Sequence, residues 1–241
     1  ILRAFTPRHP VLGNNEIAQR AHLPKPTVTR LTYTLTQLGY LNYSPESGRY
    51  SLSVGVLALG YSFLASQDIR AIARPLMQEF ADFARATVCL AARDQPHMVF
   101  LEVCQGNPTF QMRLEVGARV PYGMTALGRA YHCGLSEEAR AAMLEEHRKT
   151  ARKEDWEGFR ASFEKAARDY QKHGFCVSLG EWNKDVYSVA VPLVSRDHSK
   201  VLALTCAGPP FEMTRSRIFE ELGPRLIQLR DRLFAATGGS F

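Results

Sequence analysis

Two helical patterns separated by only a few residues occupy positions 14–40, NNEIAQRAHLPKPTVTRLTYTLTQLGY. The first pattern is short: Asn15 is its predicted N-cap, and its apolar stripe consists of Ile17, Ala18 and Ala21. The segment HLP then predicts a turn with Leu23 as a buried plug. Pro26 suits the first turn of the next helix, because no backbone N–H is needed there. Two helices joined by so short a turn predict a helix-turn-helix.

The second predicted helix has two chemically different faces. Successive residues of an α-helix turn by about 100°. On that geometry one face is apolar and is predicted to pack in the core: Val28, Leu31, Leu35 and Leu38. The opposite face is polar or amphipathic, with Arg30 as its charged residue, and consists of Pro26, Thr29, Arg30, Tyr33 and Gln37. In a helix-turn-helix, the outer residues near the start of the second helix enter the major groove.

A β-hairpin is predicted directly after the second helix. The segment YLNYSPESGRYSLSV contains two β-prone runs, Tyr40–Tyr43 and Arg49–Ser53, on either side of the turn-forming SPESG. Arg49 lies near the tip of this hairpin, where a cation can meet a phosphate or the minor groove. The stretch therefore predicts a winged helix-turn-helix that binds double-stranded DNA.

The predicted DNA contacts divide into two groups. Base edges or adjacent phosphates would be contacted by Thr29, Arg30 and Tyr33, and Pro26 lies on the same outer face as a further DNA-contacting residue. The DNA backbone would be positioned mainly by Lys25, Thr27 and Arg49. The Arg30 guanidinium could instead bind a phosphate or form an intrahelical salt link.

The charge of the chain is concentrated in this first segment. Residues 1–60 carry six Lys or Arg and two Glu, whereas the whole chain has a net charge of +6. A basic small domain beside a near-neutral large one is typical of nucleic-acid binding by the small domain. The alternative interpretation of this charge is solubility alone.

The remaining composition constrains where the protein works. The sequence contains no apolar run of transmembrane length and no signal peptide. Because the chain begins at Ile1 rather than Met, we expect the natural protein to start earlier. Five cysteines without paired spacing argue for a reducing cytosol, against a disulfide framework and against a zinc site. We therefore expect a cytoplasmic protein with no membrane contact, no metal and no cofactor.

Residues 1–53 are predicted to form the DNA-binding domain, residues 54–71 a linker helix and residues 72–241 a second domain. The linker carries more apolar side chains than an exposed helix needs: Val56, Leu57, Leu59, Phe63 and Leu64. These side chains could pack onto the winged domain or onto a second subunit.

The second domain alternates strand-like and helical segments. Strands are predicted at TVCLAARD, MVFLEVCQG, TFQMRLEV, FCVSLGEW, YSVAVPLVS and KVLALTCAG. Helices are predicted at SEEARAAMLEEHRK, at DWEGFRASFEKAARDYQKHG with Gly174 as its C-cap, and at RSRIFEELGPRLIQLRDRLFAAT. These segments predict an antiparallel sheet flanked by helices, and the predicted fold class of the whole chain is α+β.

A candidate ligand site lies in VGARVPYGMTALGRAYHCG, where a loop with Pro and Gly leads into a helix starting near Thr125. Unpaired N–H groups at such a helix start favour an anion such as a carboxylate. The Thr125 hydroxyl would assist, with an apolar wall from Met124, Leu127 and Tyr131. The alternative is ordinary: Thr125 as N-cap, with Met124 and Leu127 in the core.

A second candidate segment is GFCVSLGEWNKDVYSVAVPL, with Glu181 and Trp182 at a strand end. A carboxylate beside an aromatic ring can orient a ligand, or can belong to a surface turn. On later strands, the side chains that could point into the same cavity are Ser188, Ala190 and Thr205.

Three separated segments resemble the IclR-type transcriptional regulators, in the right order and over essentially the whole chain. LPKPTVTRLTYTLTQLGY with GRYSLSVGVLALG resembles that family's winged helix, GARVPYGMTALGRA its loop-helix signature, and HGFCVSLGEW with YSVAVPLV its ligand-domain strands. The departures are Arg129 where Lys is usual, Gly123 where His is common, Asp185 where Gly is common, and Pro26 where Ser is common.

The resemblance implies a winged helix-turn-helix joined by a linker helix to a GAF-like α/β domain, working as a homodimer or a dimer of dimers. It implies a small effector, often an organic or aromatic acid, at positions that match Thr125, Ala126, Leu127, Glu181, Ala190 and Thr205. We therefore expect a regulator whose operator affinity the effector controls. The alternatives are an enzyme acting on a small acid beside a vestigial DNA-binding domain, and a module for protein contact. No catalytic motif supports the enzyme.

Overall fold

A computed structural model of the chain describes residues 1–106, 114–150 and 153–241. The chain divides into two compact units, residues 1–67 and residues 68–241. Within the described residues, no helix combines the length and the apolar character that crossing a membrane requires.

The first unit is a helix-turn-helix with a small antiparallel sheet. Its elements are a 3-10 turn at Leu2–Ala4, β1 (Val11–Gly13), α1 (Asn14–Ala21), α2 (Lys25–Gln37), β2 (Leu41–Ser44), β3 (Arg49–Leu52) and α3 (Gly55–Ala65). β2 and β3 form the predicted hairpin, and β1, which the sequence did not predict, pairs with β3 on its other side. The predicted winged helix-turn-helix is therefore confirmed, with one more strand.

The start of α1 differs from the prediction. The N-cap is Gly13, and Asn15 lies inside the first turn. The backbone N–H of Gly13 donates to the Glu16 carboxylate at 2.7 Å, so the side chain three residues further on caps the helix. This hydrogen bond is the main reason that the pKa of Glu16 lies below its usual range. His22, in the left-handed conformation with φ 53°, ends α1 at the predicted turn.

The buried face of α2 also differs from the prediction. Val28 is fully buried and Leu35 is partly buried against the core, but Leu31 and Leu38 are 41% and 62% exposed. Thr32 is fully buried instead, because its hydroxyl donates to the Val28 carbonyl at 2.9 Å and so needs no water. A hydroxyl that bonds back to its own helix can occupy a core position that the apolar pattern assigned to leucine.

In the described part of the second unit, six antiparallel strands form one sheet with helices on both faces. Its elements are α4 (Ile69–Ala84), β4 (Thr87–Asp94), β5 (His97–Gln105), β6 (Arg119–Pro121), α5 (Ala126–Gly134), α6 (Glu137–Thr150), α7 (Lys153–His173), β7 (Cys176–Leu179), β8 (Tyr187–Val194), β9 (Val201–Gly208), α8 (Arg215–Arg217), a π-helical turn (Ile218–Leu222) and α9 (Gly223–Ala236). The strand order is β6-β5-β4-β9-β8-β7. The predicted antiparallel sheet and the Gly174 C-cap, with φ 78°, are confirmed.

One predicted strand lies largely outside the described residues, and one predicted boundary falls differently. The strand predicted at residues 109–116 lies largely on residues 107–113, outside the described part of the chain. The linker helix predicted over residues 54–71 ends at Ala65, and α4 begins at Ile69. Pro75 lies within α4.

The sheet register assigns the two faces of the second unit. Cys89 pairs with Thr205, which pairs with Ala190, and this face packs against α5 and α7. Leu90 pairs with Glu102 on the other face, where Glu102 is held by two arginines of α4. The two cavities described below lie on the α5 side of the sheet and border the loop that leads into α5.

Candidate functional site

The predicted DNA-contacting residues are all exposed and lie on the first three turns of α2 and on the hairpin. Six of them lie on α2: Lys25, Pro26, Thr27, Thr29, Arg30 and Tyr33. Tyr33 is 66% exposed. Arg49 is the first residue of β3 and lies on the neighbouring hairpin.

Thr29 connects the two helices of the motif. Its hydroxyl accepts a hydrogen bond from Asn14 Nδ2 at 3.0 Å and donates to the Lys25 carbonyl at 3.0 Å. Because both contacts are internal, Thr29 orients α1 against α2 as well as lying on the outer face.

Arg30 and Lys25 are the cations of this face. Within the described residues, neither forms an ion pair or a side-chain hydrogen bond. The predicted alternative of an intrahelical salt link at Arg30 is wrong, since α2 contains no Asp or Glu. The Arg30 guanidinium is available to an external anion.

Arg49 has an internal partner that the sequence did not predict. Its Nη1 lies 3.3 Å from the Glu16 carboxylate of α1, and both side chains are about half exposed. The ion pair joins the hairpin to the start of α1, next to the capped Gly13 N–H. Exposure on this scale leaves the pair weak and open to competition by a phosphate.

The predicted ligand residues of the second unit divide between two cavities. A larger cavity of about 580 Å³ is bordered by Met124 and Glu181. A smaller cavity of about 30 Å³ is bordered by Thr125, Leu127 and Thr205, together with Trp182 and Ser188. Ala126 and Ala190 border neither and lie in the core between α5 and the sheet.

Thr125 performs the ordinary role that the sequence left open. Its hydroxyl accepts from the Gly128 N–H at 3.2 Å and donates to the Pro121 carbonyl at 2.9 Å, so it is the N-cap of α5. Within the described residues, the N–H groups of Ala126 and Leu127 have no acceptor. Thr205 is likewise occupied, since its hydroxyl donates to the Val189 carbonyl at 3.0 Å. Of these two residues only Leu127 borders the smaller cavity, so the unpaired donor there is the Leu127 backbone N–H rather than the predicted Thr125 hydroxyl.

Met124 and Leu127 differ in their environments. Leu127 is 2% exposed and belongs to the core, as the ordinary alternative predicted, whereas Met124 is 50% exposed at the mouth of the larger cavity.

The charged group of the larger cavity is Arg129, which sequence reasoning identified only as a departure from a family pattern. It is 5% exposed. Its Nε donates to Ser162 Oγ at 2.9 Å and its Nη1 donates to the Val177 carbonyl at 2.7 Å. The same Nη1 lies 3.4 Å from the Glu181 carboxylate. Ser162 and Val177 come from α7 and β7, so proximity along the chain gave no signal for this site.

Glu181 is ionised in this environment. Burial raises its pKa, but the Ser178 hydroxyl at 2.8 Å, the Arg129 guanidinium and the Leu179 N–H together lower it to about 2. Lys165 Nζ also lies 3.4 Å from this carboxylate. One anion therefore lies between two cations at the edge of the larger cavity.

The loop before α5 separates the two cavities. The Ser162 hydroxyl donates to the Gly123 carbonyl at 2.9 Å and fixes the loop on α7. A Cβ atom at Gly123 would lie 2.4 Å from the Phe159 ring, so that ring takes the place of a side chain. Phe159 in turn stacks on His147 with ring centroids 3.7 Å apart.

A chain that combines a helix-turn-helix unit carrying a cationic outer face with an α/β unit holding a cavity of ligand size is typical of a ligand-responsive transcription regulator. The chain belongs to the IclR family: residues 1–45 match the IclR helix-turn-helix domain, and residues 61–232 match the bacterial transcriptional regulator IclR C-terminal domain.

Individual relatives agree with this assignment. The HTH-type transcriptional regulator TsaQ1/TsaQ2 of Comamonas testosteroni is 33% identical over 221 residues, which cover 91% of this chain and 79% of that protein. The crystal structure of an IclR-family transcriptional regulator from Brucella abortus is 44% identical, with a TM-score of 0.91 and coverage of 98% of this chain and 88% of that one. These relatives are transcription regulators.

A more distant neighbour shares the fold. The IclR homologue from Microbacterium hydrocarbonoxydans, solved in complex with 4-hydroxybenzoate, is 20% identical with a TM-score of 0.67, covering 97% of this chain and 96% of that one.

Proposed function

We propose that this regulator binds a double-stranded DNA operator through the outer face of α2 and the hairpin, and that an organic acid bound in the second unit controls that binding. It acts in the cytoplasm as a homodimer or dimer of dimers, without catalysing a reaction. The observation that carries the DNA contact is the exposed Arg30 on a helix that offers it no carboxylate.

The proposed contacts follow from reach and chemistry. Arg30 would donate to a guanine edge, with Thr29 and Tyr33 beside it at neighbouring bases or phosphates. Lys25, Thr27 and Arg49 would bind phosphates and set the register of the protein on the duplex, with Pro26 fixing the start of the helix. Arg49 would then exchange its ion pair with Glu16 for a phosphate.

The effector is proposed to bind at the smaller cavity, with its carboxylate on the free N–H group of Leu127 at the start of α5. The positive end of the α5 dipole favours an anion there. Trp182 and Leu127 would cover the apolar part of the acid. A cavity of about 30 Å³ fits little more than the carboxylate, so a larger acid requires its walls to move. The 4-hydroxybenzoate bound by the Microbacterium hydrocarbonoxydans homologue supports an aromatic acid.

Self-association is proposed to involve α3. Its large apolar side chains are exposed: Leu57 72%, Leu59 50%, Tyr61 71% and Phe63 53%, with Val54 beside them at 79%. So much exposed apolar surface on one short helix is typical of an interface. Two subunits would present two α2 helices to half-sites about one DNA turn, roughly 34–36 Å, or a multiple of it apart.

The first test is an operator selection followed by an Arg30→Ala substitution. Genomic DNA fragments that bind the protein should contain an inverted repeat. We expect Arg30→Ala to weaken binding to that site by about 1–3 kcal/mol, roughly 5- to 150-fold, because a bidentate base contact is lost. The dependence of the binding constant on salt concentration should be steep for the wild type.

Arg168→Ala is the matched control, since Arg168 is an exposed arginine of the second unit. It should leave operator affinity unchanged. Fragments without any shared sequence, together with a flat salt dependence, would contradict sequence-specific DNA binding. An operator complex that no carboxylate dissociates or strengthens would contradict the effector part alone.

A further inference from the structure

We infer that the larger cavity is a second ligand site, separate from the effector position at the start of α5, and that it takes an aromatic monocarboxylate. The inference goes beyond the proposed function, because operator binding and the smaller cavity can both work without it.

Among the residues that the structure describes, the two cavities have no lining residue in common. The larger one lies between the β6–α5 loop, α6 and α7, and the smaller one lies between α5 and the strands β4, β8 and β9. At about 580 Å³ the larger cavity is within the usual range for small-molecule sites, about 300–1,000 Å³. A ring-bearing acid fits there without moving the walls.

Arg129 supplies the recognition of the carboxylate. Nε and Nη1 are committed to protein acceptors, whereas Nη2 makes no hydrogen bond within the described residues. Nη2 is also not fully buried, so it is open to a molecule in the cavity. A 95% buried guanidinium held in place by Ser162 and Val177, with one free N–H edge, is a preorganised anion donor.

The remaining walls select an aromatic ligand. Tyr122 and Phe159 present aromatic rings, His147 stacks on Phe159, and Met124 lies exposed at the mouth. Flat, partly desolvated rings of this kind gain from stacking with an aromatic ligand.

The charges select a ligand with one carboxylate. Glu181 is ionised and lies 3.4 Å from Nη1 of Arg129, so a single ligand carboxylate at Nη2 meets the guanidinium while a second would meet Glu181. Lys165, at 3.4 Å from Glu181, reduces the repulsion of the first carboxylate. Dicarboxylates and phosphates are therefore disfavoured.

Gly158 provides a way to fill the cavity without damaging the fold. It lies on α7 at the cavity wall, and a Cβ atom built there meets no atom of the described residues within 4 Å. Gly158→Phe also raises helix propensity. Ala161→Phe is the matched control, since Ala161 is an exposed residue of the same helix that does not line the cavity.

The test measures binding of 2-naphthoate, a fluorescent aromatic monocarboxylate, to the full chain by titration, with the neutral 2-naphthamide alongside. We expect Gly158→Phe to weaken 2-naphthoate at least about tenfold, because the ligand loses its space. Ala161→Phe should change the affinity less than about twofold, and the amide should bind at least about tenfold more weakly than the acid. Glu181→Gln should tighten 2-naphthoate by about three- to tenfold, because the competing carboxylate is removed.

Ser188→Val, which fills the smaller cavity, distinguishes the two sites. If Ser188→Val abolishes 2-naphthoate binding and Gly158→Phe does not, the acid belongs at the start of α5; the inference is then overturned and the proposed function stands. Absence of 2-naphthoate binding at millimolar concentration, or equal binding of acid and amide, also overturns it. Operator binding measured on the same samples reports the proposed function independently.

Discussion

Gly128→Ala is expected to lower the free energy of unfolding of the second unit by about 3 kcal/mol or more. A Cβ atom at Gly128 would lie 1.8 Å from the Tyr122 carbonyl oxygen and 2.6 Å from its carbonyl carbon. Both are backbone atoms, so no side-chain rotation can relieve the collision. Either α5 or the loop that leads into it must shift, and that loop borders both cavities.

The matched control is the same substitution at Gly158. Among the described residues nothing lies within 4 Å of a Cβ atom there, so Gly158→Ala is expected to stabilise the unit by about 0.5–1 kcal/mol through helix propensity. Urea denaturation of the full chain, followed by circular dichroism, gives both values. Equal effects of the two substitutions would mean that the close contact between α5 and the Tyr122 carbonyl is not present in solution.

Stability of the second unit is expected to fall by about 2–3 kcal/mol between pH 6.5 and pH 4 because of His132 alone. Burial, with a smaller contribution from the charge of Arg140, lowers the pKa of His132 from about 6.5 to about 4. The imidazole lies beneath the Phe163 ring, and its Nδ1 is 2.9 Å from the Tyr122 hydroxyl. Between these pH values the unfolded chain binds the proton and the folded one does not. The stabilisation is therefore complete above pH 6.5 and is lost as the pH falls towards 4.

Comparison with His132→Gln isolates this contribution, since Gln keeps a hydrogen-bonding side chain but does not titrate. The difference in unfolding free energy between wild type and His132→Gln should shrink by about 2–3 kcal/mol from pH 7 to pH 4, while all other groups cancel. His198→Gln, at an exposed position of the same unit, should run parallel to the wild type. If the His132→Gln curve also runs parallel to the wild type, His132 does not titrate in this way.

The fold was largely accessible from the sequence because its signals are local. The α1–α2 turn, the hairpin after α2 and most strands of the second unit followed from apolar periodicity and turn residues. The errors are equally instructive: Thr32 displaced Leu31 from the core of α2, and Gly13 with Glu16 displaced Asn15 as the cap of α1. In both cases a hydrogen bond within the structure outweighed the propensity of the residue type.

The candidate sites were only partly accessible. The outer face of α2 could be listed from helix geometry, because its residues are neighbours in the sequence. The ligand residues could not be grouped correctly. Thr125 and Met124 are adjacent in sequence yet border different cavities, as do Glu181 and Trp182.

The sequence by itself determined the helix-turn-helix, the antiparallel sheet and the family, since each depends on patterns within a few residues or on ordered motifs. Only the tertiary structure showed that the charged groups Arg129 and Glu181 line the larger cavity. Arg129, Ser162 and Val177 belong to a helix, another helix and a strand, and meet within 3 Å only after α5 and α7 pack on the sheet. The acceptors of a buried guanidinium are set by this packing, and spacing along the chain carries no record of it.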